Sequence, residues 1–564
     1  MAQQITKDGQ ALSIFHGPSI QDEGLGALTL GGFIAELAEK YSTNEALCWK
    51  DLSGQMQRWT YAEMYAECRK VAAALLATGV SKESRVGILI SNRPEWIFSA
   101  FGAAMAGAVV VALNTFSTQQ ELRYQLQTAN VSTLILEEGV ASKNFVNDVH
   151  ALCPQLTDAA PGSLMTGEFP YLRRVVCVDA TETQNGVQSW SEFLAEGERV
   201  SAEMVDATIA AANPLDRSLI FFSSGSTALP KAIQQTQRAA MLQCWRLGKI
   251  YQGSSKTRAW NANGFFFSGN FVMGFGSTLP VGGCLVLQRF FDPEEAIQLF
   301  VNEKVNMPHL WPHQEARLTE AKGWLEADLS FMTHVDKNLI LAQHPTIQSN
   351  WQQPNAYGMT ETFTFVTGAA GSDITDGSNG PVLGGNTVKI IDPDTGEILP
   401  IGQTGEIVTK GPTLMLGYLN VAPEDTFDAE GFIHTADAGY FNEEGSLFWK
   451  GRLGDIIKTG GANVSPTEID AILLKHPAVQ STFTVGMPHD TLGEIVVSCA
   501  ILRENETLDE DGLRAFAKES LASYKVPRRV LFFTEEELPM TGSNKIRRPE
   551  LKKLVAERFA AEQA

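Results

Sequence analysis

Residues 223–231, with the sequence Ser-Ser-Gly-Ser-Thr-Ala-Leu-Pro-Lys, combine the residue types that bind phosphate groups. They follow a short apolar run, Leu219 to Phe222, that predicts a buried strand ended by small residues. Four hydroxyls and a glycine within five positions supply side-chain donors and free backbone N–H groups, and Lys231 adds a compact positive charge. No Gly-Lys-Ser/Thr closes the turn, so this is not the common P-loop. The stretch predicts a polyphosphate-binding loop of another kind, with a serine-rich surface turn as the alternative.

A second segment, Tyr357-Gly358-Met359-Thr360-Glu361, places a ring, a turn glycine, a hydroxyl and a carboxylate in succession. The ring can stack on a base, the hydroxyl can reach an α-phosphate, and the carboxylate can hold Mg²⁺. Taken singly, a carboxylate such as that of Glu361 is more often a surface or capping group. The segment gains meaning only together with the others.

Two further segments lie nearer the C-terminus. Asp437 ends the sequence His-Thr-Ala-Asp, and Arg452 follows fifteen residues later. A carboxylate there can accept hydrogen bonds from two ribose hydroxyls, and a guanidinium can steady a ribose or a phosphate. Residues 539–545 form a glycine-containing turn that presents Lys545. Alone, Asp437 reads as a turn residue and Lys545 as a solvated charge.

Composition excludes several classes of function. The chain has 564 residues, 44% of them hydrophobic, and a net charge of −21. That charge argues against binding to nucleic acid or to anionic lipid, so ATP would need local cations or a metal ion. Seven scattered cysteines without a CxxC pair fit a reducing cytoplasm and argue against structural zinc. The apolar run over 97–113 is short and broken by glycine, which favours a buried helix–turn–strand over a membrane span.

The elements that must position these segments alternate between helix and strand. Their periodicity predicts a parallel sheet covered by helices on both faces, then a β-rich subdomain, then a small α+β unit. We predict two domains, 1–452 and 453–564, and a peripheral segment over 141–212. Helices are predicted over 30–41, 61–78, 121–128, 239–250, 293–303, 466–475 and 508–521, and strands over 85–90, 133–136, 284–288, 388–391, 405–408, 479–485 and 495–501.

In this order the four segments resemble those of the acyl-adenylate-forming superfamily, which includes acyl-CoA synthetases, peptide-synthetase adenylation domains and beetle luciferases. The resemblance extends from about Leu30 to Leu551. Residues 405–419 and 460–469 carry further matches. It implies a large α/β N-terminal domain of doubly wound sheets, a β-rich subdomain and a small mobile α+β C-terminal domain.

The resemblance also implies a two-step reaction that uses ATP, Mg²⁺ and coenzyme A. A carboxylate attacks the α-phosphorus of ATP to give an acyl-AMP and pyrophosphate, and a thiol then takes the acyl group and releases AMP. A carboxylate is a poor electrophile, and the mixed anhydride supplies a good leaving group. Positioning, a lysine and Mg²⁺ matter more here than a general base.

The same resemblance implies a role for each site residue. Lys545 would bridge the carboxylate and the α-phosphate, which Thr360 also contacts. Glu361 and Ser223 would serve the metal. The β- and γ-phosphates would be held by Ser223, Ser224, Gly225, Ser226, Thr227 and Lys231. The nucleoside would be held by Tyr357, Gly358, Asp437 and Arg452.

For the second step the resemblance implies a rotation of the C-terminal domain about Gly454, which brings Gly460 and Gly461 to the thiol channel. The family usually has a polar or charged residue at this hinge, so Gly454 predicts a looser one. Three other positions depart from the family's glycines: Ala228, Ala436 and Asn544. The usual Gly-Gly-Ala turn beside adenine is not recognisable over 338–348.

The acyl pocket is expected in the segment after residue 239, with Phe266, Phe267, Ser268 and Met273 as its lining. Relatives that activate amino acids carry an aspartate in this segment, and none lies between residues 265 and 283. The leading hypothesis is therefore a CoA ligase for a hydrophobic fatty or aryl acid. The alternatives are an enzyme that loads a carrier protein and a non-catalytic nucleotide-binding homologue. The oligomeric state stays open, a homodimer included.

Overall fold

The computed structural model describes residues 5–7, 9–20, 25–223, 230–459, 462–489, 491–521, 524–540 and 546–563. Within these ranges the chain is a mixed α/β structure with a large N-terminal part and a small C-terminal part, as predicted. No helix in the described ranges is both long and apolar enough to cross a membrane. The helices are Leu30–Lys40, Tyr61–Ala77, Pro94–Met105, Gln119–Thr128, Phe145–Leu152, Trp190–Glu196, Ala202–Ala210, Gln237–Ile250, Ser268–Phe271, Pro293–Glu303, Pro312–Glu320, Pro466–Leu473, Glu510–Lys518 and Arg548–Gln563.

The first sheet has eight strands, of which seven run in the same direction and one, Ala232–Thr236, is antiparallel to both of its neighbours. Helices cover both faces, so its central strands are rich in apolar residues. In Val109–Ala112, for example, Val110 packs into one core and Val111 into the other. From edge to edge the strands are Val187–Ser189, Arg174–Cys177, Thr133–Leu136, Arg85–Leu89, Val109–Ala112, Arg217–Phe222, Ala232–Thr236 and Gly417–Tyr418.

The prediction that residues 141–212 are peripheral was wrong in one respect. Arg174–Cys177 and Val187–Ser189 add two parallel strands to the edge of the first sheet. These strands are only four and three residues long, and prolines and glycines interrupt the sequence around them. Short strands of this kind leave too little periodicity to be recognised from sequence.

The second sheet faces the first across the main hydrophobic core, which also contains the helices Leu30–Lys40, Tyr61–Ala77 and Pro94–Met105. Residues on its other face pack with helix Pro293–Glu303. Four of its strands are parallel and the fifth is antiparallel. In order they are Met307–His309, Arg258–Asn261, Cys284–Leu287, Glu45–Lys50 and Met56–Thr60.

The β-rich subdomain is a five-stranded antiparallel sheet, here called the third sheet. It ends at Arg452, and the next strand, Ile457–Thr459, belongs to a separate C-terminal sheet. The boundary at 452/453 stays a prediction. The third sheet comprises Leu447–Arg452, Ile433–Phe441, Gly405–Lys410, Thr387–Ile391 and Ile14–His16. The C-terminal sheet comprises Ala462–Val464, Ile457–Thr459, Gly493–Leu502, Val479–His489 and Arg529–Phe532. Three hairpins complete the strands: Thr6–Lys7 with Gln10–Ala11, Gly139–Val140 with Lys143–Asn144, and Asn355–Met359 with Thr364–Ala369.

Asp470 gives the C-terminal part a titratable group near neutral pH. Burial raises its pKa from 3.8 to about 7, although Thr484 donates to its carboxylate at 2.7 Å and the Arg548 guanidinium lies 3.9 Å away. A folded-state pKa above the unfolded value means that the folded chain holds the extra proton. This stabilisation is complete below about pH 4 and is lost as the pH rises through about 7.

Asp470→Asn mimics the neutral carboxyl group and should flatten the pH dependence of the free energy of unfolding between pH 4 and 8. Urea titrations across this range measure the effect. The control is Asp511→Asn, whose side chain is 90% exposed and pairs with Arg514 on the surface. An unchanged slope in Asp470→Asn would contradict the prediction.

Candidate functional site

The predicted phosphate loop begins and ends on two antiparallel strands of the first sheet, Arg217–Phe222 and Ala232–Thr236. At its base the Ser223 N–H donates to the Lys231 carbonyl at 2.9 Å, and the Lys231 N–H donates to Ser223 Oγ at 3.1 Å. The Lys231 side chain is exposed. These two hydrogen bonds hold Ser223 and Lys231 together at the base of the loop. Other predicted residues lie outside the described ranges, and their roles stay predictions: Ser224, Gly225, Ser226, Thr227, Ala228, Gly460, Gly461, Asn544 and Lys545.

Tyr418 connects Lys231 to Glu361. The Lys231 ammonium lies 4.5 Å from the centre of the Tyr418 ring, and the Tyr418 hydroxyl donates to Glu361 Oε1 at 2.9 Å. Burial raises the pKa of Tyr418, and the nearby Glu361 carboxylate raises it further, so the hydroxyl remains a donor. Glu361 is buried, and carboxylate oxygen is a ligand type that Mg²⁺ prefers. The donor set at Glu361 therefore fits a magnesium ion.

Thr360 lies where the predicted acyl and phosphate segments meet. Ser268 Oγ donates to Thr360 Oγ1 at 3.2 Å, and Gln235 Nε2 donates to the Thr360 carbonyl at 2.6 Å. Sequence reasoning missed Gln235. No local signal pointed to it, because the burial of Gln235 in the strand after the phosphate loop becomes evident only in the folded sheet.

The backbone after Glu361 is held in an unusual conformation. Phe363 and Thr364 have φ angles of 44° and 77°, which cost of order 1–3 kcal/mol each for residues with a Cβ. The Gln243 amide fixes this turn by donating to the carbonyls of Phe363 and Phe365 at 2.9 and 2.7 Å. Gly358 is required opposite it, because a Cβ there would lie 1.5 Å from the Thr364 carbonyl oxygen. The sequence around Thr360 is thus rigidly positioned.

Asp437 is the centre of a buried polar unit in the third sheet. Tyr357 donates its hydroxyl to Asp437 Oδ2 at 2.8 Å, and Arg452 Nε lies 3.2 Å from Oδ1. Arg452 also donates to the Thr435 carbonyl at 2.8 Å. Burial raises the pKa of Asp437, while the Arg452 guanidinium opposes that shift. The arrangement fixes a carboxylate beside a half-exposed positive charge. The predicted stacking role of Tyr357 stays a prediction, and its ring is buried.

Ala436, which precedes Asp437, adopts the left-handed conformation with φ 56°. It lies in a bulge of the strand Ile433–Phe441, where the pairing with Gly405–Lys410 shifts register. Its N–H donates to Glu406 Oε1 at 3.0 Å, which anchors the bulge. The bulge strains Ala436, because left-handed geometry favours glycine.

Ala436→Gly should therefore raise the free energy of unfolding by about 1 kcal/mol. Glycine relieves the left-handed strain, and this gain exceeds the cost of the greater flexibility that glycine gives the unfolded chain. Urea unfolding followed by circular dichroism measures the change. The matched control is Ala438→Gly, two residues along the same strand and outside the left-handed region, which should lower it by about 0.5–1 kcal/mol. Equal decreases in the free energy of unfolding in both variants would show that Ala436 is not strained.

A cavity lies beside the segment Val272–Gly276, which contributes Met273 to its lining. Of the four residues predicted to line the acyl pocket, Met273 lines this cavity. Phe266 is buried in the main core, and Phe267 packs on Trp311 with 5.8 Å between the ring centres. The cavity is lined by Tyr251, Met273, Met307, Pro308, His309, Leu310, His334, Val335, Leu339, Leu341, Trp351 and Gln353.

Among the described residues that line the cavity there is no Asp, Glu, Lys or Arg, and the two imidazoles favour the neutral form. Burial, with a smaller effect from His334, lowers the pKa of His309 to about 4. Burial also lowers the pKa of His334. Ser277 Oγ is 2.9 Å from His309 Nε2. The cavity is therefore uncharged at neutral pH.

Gly454, the predicted hinge, lies in the single turn Leu453–Asp455. Its φ is not positive, and a Cβ added there would meet no atom within 4 Å. Any residue could adopt the backbone conformation that Gly454 has here. This conformation therefore gives no support to the prediction that glycine makes the hinge looser. Whether the chain pivots at Gly454 stays a prediction.

Two family comparisons match this chain. The model described as AMP-binding enzyme matches residues 34–419, and that described as AMP-binding enzyme C-terminal domain matches residues 468–545. YngI of Bacillus subtilis (strain 168), whose name provisionally calls it an acyl-CoA synthetase, is 27% identical over 550 residues, covering 94% of this chain and 98% of its own. The 4-coumarate–CoA ligase 2 of Solanum tuberosum is 28% identical over 527 residues, which cover 88% of this chain and 89% of that protein.

Among solved structures, the anthranilate CoA ligase AuaEII in complex with anthranoyl-AMP superimposes with a TM-score of 0.78. It is 23% identical, and the match covers 95% of this chain and 98% of that one. At this identity the likeness establishes the fold alone. The chain thus has the fold of that structure.

Proposed function

The chain belongs to the AMP-binding enzyme family, and from that premise we propose that it is an ATP-dependent ligase that joins a hydrophobic carboxylic acid to coenzyme A through an acyl-AMP. One observation carries the proposal. A continuous strip of contacts runs from Ser268 to Thr360, and from Glu361 through Tyr418 to Lys231. Met273, five residues after Ser268, lines the uncharged cavity, and Lys231 ends the predicted phosphate loop. The strip thus connects the two segments that a site activating an acid with ATP requires.

In the proposed first step the acid's carboxylate oxygen attacks the α-phosphorus, and the bond from that phosphorus to pyrophosphate breaks. Thr360 would contact the α-phosphate, while Lys545 would bridge it to the carboxylate. Glu361, with Ser223, would hold Mg²⁺, which neutralises phosphate charge when bound. Lys231 and the phosphate loop would hold the departing pyrophosphate. The chain's contribution is positioning and charge stabilisation.

The nucleoside would be bound by the unit around Asp437. Its carboxylate would accept from the ribose hydroxyls, and Arg452, whose side chain is 52% exposed, would contact the ribose or a phosphate. Because Tyr357 donates to the same carboxylate, it would fix the orientation of Asp437 before ATP binds. Such preorganisation lowers the entropy cost of binding.

In the proposed second step the sulfur of coenzyme A attacks the acyl carbon and its thiol proton passes to solvent. The bond to AMP breaks, and AMP leaves with that electron pair. We propose that domain 453–564 pivots at Gly454 for this step, withdrawing Lys545 and presenting Gly460 and Gly461 to the thiol. A two-domain division fits the change of sheet between Arg452 and Ile457. Domain motions of this kind often limit turnover.

The uncharged cavity supports an acid whose body is hydrophobic and carries no second charge. It offers no counter-ion for the ammonium of an amino acid or for a second carboxylate. Four rings line it, those of Tyr251, His309, His334 and Trp351, which favours a planar aryl acid over a long fatty chain. The 4-coumarate–CoA ligase relative supports the same choice.

A substrate panel tests the proposal. Cinnamic, benzoic, hexanoic and dodecanoic acids, with phenylalanine and malonic acid as charged controls, are each mixed with ATP, Mg²⁺ and coenzyme A. We expect CoA-dependent AMP release, greatest with the aryl acids and absent with the charged controls. Turnover only with a phosphopantetheinylated carrier protein would favour carrier loading. ATP binding without pyrophosphate exchange on any acid would favour the non-catalytic homologue.

We further propose that the enzyme works in the cytoplasm. All seven cysteines are buried free thiols, which fits a reducing compartment. Cell fractionation followed by immunodetection tests this, and recovery outside the cytoplasmic fraction would contradict it.

A further inference from the structure

A buried cluster of thiols and charges lies at the amino ends of the parallel strands of the second sheet. Glu45, Arg258 and Cys284 are the first residues of their strands, whereas the segment that leads to Ser268 follows a carboxyl end. The cluster is thus at the opposite edge of the sheet from the candidate active site. It consists of Glu45, Cys48, Arg58, Arg258, Cys284 and Glu303.

Three potential ligand atoms of this cluster lie close together, and the carboxylate of Glu303 adjoins one of the two thiols. Cys284 Sγ lies 3.3 Å from Glu45 Oε1, and Cys48 Sγ lies 3.7 Å from Glu303 Oε2. The ligand atoms of Glu45, Cys48 and Cys284 all lie within 4.8 Å of one another. Zinc bonds of 2.0–2.3 Å imply ligand separations of about 3.3–3.8 Å in a tetrahedron. Small side-chain shifts would close the remaining gap.

The charges of the cluster balance both with and without a divalent cation. Arg58 donates to Glu45 and Glu303 at 2.9 and 2.8 Å, and Arg258 donates to them at 3.0 and 2.7 Å. While the thiols are neutral, the positive charges of the two guanidiniums therefore balance the negative charges of the two carboxylates. A divalent cation with two thiolates also adds no net charge. Both guanidiniums donate to the oxygens proposed as ligands, and Arg258 also donates to Cys48 Sγ at 3.6 Å. On metal binding they would move back from these atoms and remain as outer partners that orient the carboxylates.

We propose that Cys48 and Cys284, with the carboxylates of Glu45 and Glu303, bind one thiophilic divalent cation such as Zn²⁺. On binding, two S–H bonds break, two sulfur–metal bonds form, and two protons pass to the buffer. Thiolate ligands select zinc over magnesium. The ion would enter from the side of Arg58, whose side chain is 45% exposed. It would join the strands Glu45–Lys50 and Cys284–Leu287 and serve stability, apart from the ligase reaction. Cysteine spacing argued against structural zinc, because these two thiols come together only where the two strands pair in the folded sheet.

Isothermal titration of the metal-free full chain with Zn²⁺, in two buffers of different ionisation enthalpy, tests the site. We expect one ion bound and two protons released per chain, with no competition from Mg²⁺. Cys48→Ala and Cys284→Ala should each weaken binding at least tenfold. The control is Cys244→Ala, an equally buried thiol in the separate main core, which should bind as the unaltered chain does. No stoichiometric binding, or equal binding in all three variants, would overturn the site.

A second measurement needs no variant and so does not depend on one folding. Co²⁺ added to the unaltered chain should give an intense thiolate-to-cobalt charge-transfer band that one equivalent of Zn²⁺ abolishes. A cobalt spectrum without that band overturns the thiolate ligands, whatever the variants show. Neither readout depends on ligase activity.

Discussion

Lys545→Ala is expected to lower the rate of acyl-AMP formation by at least about 10²-fold, the cost of removing a charge that stabilises the transition state. Lys545 is the one lysine of the turn over 539–545, and the family resemblance assigns it to the first step. The transfer of a preformed acyl-AMP to coenzyme A should be largely retained, because the proposed domain rotation withdraws the lysine before that step. Acid-dependent pyrophosphate exchange measures the first step, and CoA-dependent release of AMP from synthetic acyl-AMP measures the second.

The matched control is Lys552→Ala, which removes a lysine in the last helix, 3.9 Å from Glu494, and should change neither rate. Equal losses in both half-reactions of Lys545→Ala would show that the lysine has been assigned wrongly. The family's two-state account of the C-terminal domain would then not apply to this chain.

Asp437→Ala is expected to weaken ATP binding by about 10²-fold. Hydrogen bonds to a charged group are worth about 1.5–3 kcal/mol each, and the variant also leaves the Tyr357 hydroxyl and the Arg452 guanidinium without their partner. Calorimetric titration with ATP measures the dissociation constant directly. The conservative variant Asp437→Asn keeps the shape and one acceptor, and its loss should be smaller.

Asp394→Ala, in the exposed turn that follows the strand Thr387–Ile391, is the control and should leave ATP affinity unchanged. Circular dichroism must show that Asp437→Ala remains folded. An unaltered ATP affinity in the folded variant would remove the ribose role from Asp437 and with it the proposed position of the nucleoside.

Much of the fold was predictable because the buried strands and helices have strong periodicity. The strand Thr133–Leu136 and the helix Pro293–Glu303 match their predicted bounds residue for residue. The helix predicted over 508–521 is shorter, Glu510–Lys518, because Asp509 caps it by accepting the Gly512 N–H at 2.8 Å. The position where a helix begins can depend on a single capping side chain, and hydrophobic periodicity contains no information about such a cap.

The site was predictable only in part. Short sequences indicated Thr360, Glu361 and Asp437, since hydroxyls and carboxylates beside turn glycines suggest ligand binding. The contact of Tyr357 with Asp437 spans 80 residues of sequence, and that of Gln235 with Thr360 spans 125. Contacts over such separations depend on how the sheets pack, so no local pattern encodes them. Of the cavity's lining only Met273 was predicted, for the same reason, because its walls come from several separate elements.

The central claim is that this chain activates an acid with ATP and passes it to coenzyme A. The most direct test is to follow all products of one reaction that contains ATP, Mg²⁺, coenzyme A and cinnamic acid. We predict AMP, pyrophosphate and acyl-CoA in equal amounts, with none formed when the acid is omitted. Formation of ADP and phosphate, or ATP binding without any acid-dependent product across the panel, would contradict the claim.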